Sequence, residues 1–94
     1  MEKLGLTVKT LTREIAEEFG IQMQKGVIVT QVAPGSIAAL AGIRPGSLVQ
    51  EVNRSRINTI DEFKGAVQKT PEHGIVMMLI KEGEYSRYVA LKME

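Results

Sequence analysis

The sequence predicts an α+β domain, mainly antiparallel, with two substantial helices and one short helix. Three observations carry that expectation. Apolar, β-branched runs such as Gly26 to Val32 and Gly74 to Lys81 have the composition of strands. Each helical stretch is preceded by a hydroxyl residue able to cap it: Thr12, Ser36 and Thr59. A glycine or proline then follows each helix as a stop, at Gly20, Gly42 and Pro71.

The elements follow in order. Leu6 to Leu11 reads as a strand, with Leu6 and Val8 on one face and Thr7 and Lys9 on the other. Thr12 starts a helix over Arg13 to Phe19, in which Ile15, Ala16 and Phe19 share a face. Gln22 to Lys25 is a polar connection, and Gly26 to Val32 is apolar enough to be a strand buried on both faces. Ala33-Pro34-Gly35 turns the chain, and Ser36 caps a short helix from Ile37 to Ala41. Arg44-Pro45-Gly46 is a turn with proline preset for its second position. Leu48 to Val52 is a strand, Asn53 to Arg56 a hairpin-like reversal, and Ile57 its return. Thr59-Ile60-Asp61-Glu62 has the pattern of a capping box, and its helix is expected to run to Lys69. Gly74 to Lys81 and Tyr85 to Lys92 form a terminal hairpin across Glu82-Gly83-Glu84.

Ninety-four residues, 44% hydrophobic and 24% charged, fit one globular domain over 1–94, with a single core and no room for a deep catalytic cleft. A net charge of +1 gives no reason to expect nucleic acid or an anionic membrane surface as the main partner. The absence of cysteine rules out disulfides, thiolate metal sites and a cysteine nucleophile. No apolar run approaches the ~18 residues of a membrane span, and the N-terminus lacks signal-peptide architecture. The chain opens directly on what reads as a binding loop, and so looks like a module of something longer.

That loop is Leu4-Gly5-Leu6. Gly5 can take backbone angles closed to other residues, so that consecutive amide groups converge on one point. Such a concave run of donors is an anion trap suited to a carboxylate. At the mouth of a strand with a free edge, it suggests capture of a peptide C-terminus by strand addition.

Catalytic chemistry finds no comparable support. His73, the only histidine, sits in the turn Pro71-Glu72-His73-Gly74, away from the nucleophile and carboxylate that a triad needs. No cluster of histidine and carboxylate has metal-ligand spacing, so neither a catalytic residue nor a metal or cofactor is expected. The five methionines, including Met77 and Met78, read as core filler. Tyr85 and Tyr88 lie three apart in a strand and point to opposite faces, which makes no stacking platform for bases.

Taken together, the order and spacing of these pieces resemble a PDZ domain, specifically the bacterial, circularly permuted kind found in HtrA-type serine proteases. The resemblance covers essentially the whole chain. It rests on Leu4-Gly5-Leu6, on Leu11-Thr12 with Ala16, Phe19 and Gly20, and on Gly26-Val27-Ile28-Val29. It continues through Ala33-Pro34-Gly35-Ser36, Ala41-Gly42-Ile43, Pro45-Gly46 and Val52-Asn53-Arg54. Val52-Asn53-Arg54 and Tyr88-Val89-Ala90-Leu91 look more like the second PDZ domain of such proteases than the first. Ser47 departs from the Asp usual there, although a hydroxyl can still bond nearby backbone.

The resemblance implies a partly open antiparallel β-barrel or sandwich of five to six strands. It places a ligand's terminal carboxylate on the amides of Leu4, Gly5 and Leu6. It assigns the peptide groove to Thr7, Val8 and Lys9 on the strand and to Ile60, Lys64 and Val67 on the facing helix. Phe63 and Ala66 then turn to the core. Ile60 and Val67 are open between groove wall and core edge. Lys64 either lays its stem along the groove, favouring ligands with an upstream acidic residue, or is a solvated surface lysine. Gly65 costs about 1 kcal/mol relative to alanine in a helix; it either admits a ligand side chain or is neutral. The resemblance further implies a fragment of a periplasmic serine endoprotease and chaperone handling misfolded proteins. Its partners would be C-terminal or unfolded peptide segments, and the protease and other PDZ domains of the parent oligomer. The competing expectation is an assembly role, with the groove blocked or used within that oligomer.

Overall fold

The computed structural model describes residues 4–71 and 73–93. Met1, Glu2 and Lys3, and Glu72 of the Pro71 to Gly74 turn, lie outside them. The order of elements is β1 (Leu6–Thr10), α1 (Arg13–Phe19), β2 (Val27–Val32), α2 (Ile37–Leu40), β3 (Leu48–Val52), β4 (Ser55–Arg56), α3 (Ile60–Gln68), β5 (Ile75–Glu82) and β6 (Tyr85–Lys92). Among the described residues, these six strands form one open antiparallel sheet in the order β1-β2-β3-β5-β6, with β4 paired beside β3.

Each helix starts where its hydroxyl residue caps it. Thr12 Oγ1 accepts from the Ile15 amide at 3.2 Å and Ser36 Oγ from the Ala39 amide at 3.1 Å. At α3 the exchange is reciprocal: Thr59 Oγ1 accepts from the Glu62 amide at 3.2 Å, and Glu62 Oε1 accepts from the Thr59 amide at 3.0 Å. These bonds satisfy amides that a helix start otherwise leaves without partners. Ser47 closes its turn through backbone, its Oγ accepting from the Arg44 amide at 3.2 Å.

The sheet separates two apolar clusters. The larger gathers Leu4, Leu6, Val8, Val27, Val29, Phe63, Val67, Met78, Ile80 and Leu91 among others. The smaller, under α1, joins Leu11, Ala16, Ile28 and Leu48. This arrangement corrects the expectation for β2. Val27, Ile28 and Val29 are buried on both faces, but Gln31 is exposed because neither cluster reaches that far along the strand.

The hairpin of β5 and β6 pairs from Ile75 with Lys92 to Glu82 with Tyr85, so its turn is only Gly83-Glu84. One face carries buried Val76, Met78 and Ile80, and the other exposes Ile75, Met77 and Tyr88. Met77 is therefore not core filler, and neither is Met23, which is 50% exposed; Met78 and Met93 are. The two-residue period of a strand sends Met77 away from the core that holds Met78. Met1 lies outside the described residues.

Candidate functional site

Among the described residues β1 pairs with β2 alone, and its other edge faces α3. Thr10 Oγ1 accepts from the Ile60 amide at 2.8 Å, which joins the end of β1 to the start of α3. From there α3 runs back along β1, toward Leu6. Between them lies an open groove of about 1310 Å³. That exceeds the range of about 300–1,000 Å³ usual for compact small-molecule sites, and suits an extended chain.

The turn before β1 closes one end of the groove. The Leu4 carbonyl accepts from the Ala38 amide at 3.0 Å, and the Gly5 carbonyl from the Ala33 amide at 2.8 Å. Both carbonyls thus face the segment 33–38. Gly5 has φ 81, and a Cβ built there would overlap the side chain of Ser36. Only glycine combines that backbone angle with such close approach.

Leu4, Gly5, Leu6, Thr7, Val8, Ile60, Lys64 and Val67 all line this one groove. Lys9 does not; it is exposed on the far face of β1. Leu6, Val8 and Val67 are at most 6% exposed and belong to the main core, so the floor of the groove is the surface of the core itself. The choice between wall and core edge thus dissolves for Val67, while Ile60 is half-buried against the same cluster. Phe63 is fully buried and Ala66 packs against the core. Gly65 faces a separate shallow depression beside Ser55, Arg56 and Lys69, and no ligand in the main groove would approach it.

Further lining comes from Thr30, Gln31 and Val32 of β2, from Pro34 and Pro45, and from Met93. The register explains Thr30. Thr7 pairs with Gln31 and Val8 with Val29, leaving Thr30 as an extra residue whose hydroxyl donates to the Thr7 carbonyl at 3.2 Å. Bulges of this kind re-aim side chains. Met93 had a legible signal, since it continues the alternation of buried Val89 and Leu91. Lys64 is the only charged side chain lining the groove among the described residues. The site therefore combines an apolar floor, a polar rim, one cation and an open strand edge.

Comparison with known proteins gives the same answer. A family model described as the PDZ domain matches residues 28–82. The chain is 35% identical over its full length to a probable periplasmic serine endoprotease, DegP-like, from Chlamydia pneumoniae, and 36% identical to its counterpart from Chlamydia muridarum. It spans 19% of the length of each. Over 97% of the chain and 83% of the other, the fold matches the HtrA3 PDZ domain bound to a phage-derived ligand, FGRWV, with TM-score 0.82 and 22% identity. The HtrA-type protease AlgW with a decapeptide matches with TM-score 0.85 and 22% identity, over 95% of this chain and 27% of that one. With a family model over more than half its length and a shared fold over nearly all of it, this chain belongs to the PDZ domain family.

Proposed function

We propose that this domain captures C-termini or extended segments of other proteins by strand addition along β1. A ligand laid antiparallel to β1 completes the open edge, taking affinity from backbone hydrogen bonds and selectivity from alternate side chains facing α3. Its terminal carboxylate rests on the amides of Leu4, Gly5 and Leu6. Thr7 and Val8 form one wall, and Ile60, Lys64 and Val67 the other. Lys9 meets only ligand side chains that point away from α3.

One observation carries this reading: the strand edge ends in a glycine turn whose two carbonyls are already committed to the segment 33–38. That commitment favours presentation of its amides to the groove. The peptide-bound states of the HtrA3 PDZ domain and of AlgW add support by likeness of fold. The likeness to DegP-like relatives further supports a place in a longer periplasmic serine endoprotease, as the second PDZ domain of a protein that also holds misfolded chains. A second reading, contact with neighbouring subunits of the parent oligomer, is favoured by exposed Ile75, Met77 and Tyr88 on the outer face of β5 and β6.

A C-terminal peptide library screened against the domain, followed by amide chemical-shift mapping of a selected peptide, separates the two. Shifts over residues 4–8 and 60–68 are expected. Shifts confined to β5 and β6, or a library that yields no binder, would contradict the groove reading.

A further inference from the structure

The direction of α3 along β1 sets where its one cation meets a ligand; this inference rests on the groove reading above. The bond from Ile60 to Thr10 puts the first turn of α3 beside the end of β1, so its last turn lies near Leu6 and the glycine turn. A ligand ending on that turn places its last side chain beside Val67. A helix rises about 1.5 Å per residue, so Lys64 stands about 4.5 Å further along the groove and Ile60 about 10.5 Å. A strand advances about 3.4 Å per residue and shows every second side chain to the same wall, so the next ligand side chain facing α3 stands about 6.8 Å along. It falls between Lys64 and Ile60, within the span of a lysine stem.

Charge decides what that side chain is. Lys64 is exposed, lines the groove, and has no acidic partner within 4.0 Å among the described residues. No acidic residue lines the groove among them either. The floor beside it, at Leu6, Val8 and Val67, is apolar. We propose that Lys64 selects ligands carrying an acidic side chain two residues before an apolar carboxyl terminus. The stem of the lysine lies along the apolar wall and its ammonium stays at the wet rim.

The test uses three hexapeptides, Ala-Ala-Ala-Xaa-Ala-Val with a free carboxylate, where Xaa is Glu, Gln or Lys, titrated into the 94-residue domain and followed by amide chemical shifts. An exposed ion pair of ordinary strength corresponds to about a two- to five-fold preference for Glu over Gln, shrinking as salt rises. Lys64→Glu should invert the order so that the Lys peptide binds best, whereas Lys25→Ala, the same kind of charge removed far from the groove, should leave it unchanged. Equal affinity for the three peptides, or a preference that survives Lys64→Glu, overturns the inference and leaves the groove reading intact. If none of the three shifts residues 4–8, the groove reading fails and takes this inference with it.

Discussion

Gly5 lies so close to Ser36 that any Cβ on it would overlap both the Cβ and the Oγ of the serine. Ser36 in turn caps α2, and α2 supplies the Ala38 amide that holds the Leu4 carbonyl. The turn at the end of the groove and the short helix behind it are therefore one packed unit.

Gly5→Ala should damage both. A left-handed backbone costs a residue with a Cβ about 1–2 kcal/mol, before the displacement of Ser36 is counted. We expect a loss above about 2 kcal/mol in denaturant unfolding, with peptide affinity reduced more than tenfold under conditions where the variant is folded. A variant with wild-type stability and affinity would show that the turn is not held as described.

Gly65→Ala should do the opposite. Nothing lies within 4 Å of a Cβ at that position, and its backbone is ordinary helix. Alanine should stabilise the domain by about 0.5–1 kcal/mol, raising the melting temperature by a few degrees, with peptide affinity unchanged. A fall in affinity would restore a ligand contact at Gly65.

Thr10→Val removes the acceptor of the Ile60 amide while keeping the shape of the side chain. Leaving that part-buried donor unsatisfied should cost about 1–3 kcal/mol. Hydrogen exchange at Ile60 should accelerate and peptide affinity should fall as α3 loosens from β1. Unchanged exchange at Ile60 would show that the bond does not hold the groove at its width.

The helices are legible in the sequence because capping is local: Thr12, Ser36 and the Thr59–Glu62 box each act within three residues. The groove walls are legible because Ile60, Lys64 and Val67 recur at helical spacing and Leu6 and Val8 at strand spacing. What escapes is non-local. The bond from Ile60 to Thr10 joins residues fifty apart and leaves no periodic trace. The bulge at Thr30 depends on how two strands register. Met77 is misread because the unbroken apolar run Ile75 to Ile80 hides the alternation that separates it from Met78. Lys9 belongs to the right strand but to its far face.

The central claim is that a free carboxylate is bound at the turn of Leu4, Gly5 and Leu6. The most direct measurement compares the Glu-containing hexapeptide with its C-terminal amide by calorimetric or shift titration. A hydrogen bond to a charged acceptor is worth about 1.5–3 kcal/mol, so the amide should bind at least tenfold more weakly. Equal affinity of acid and amide would contradict the account.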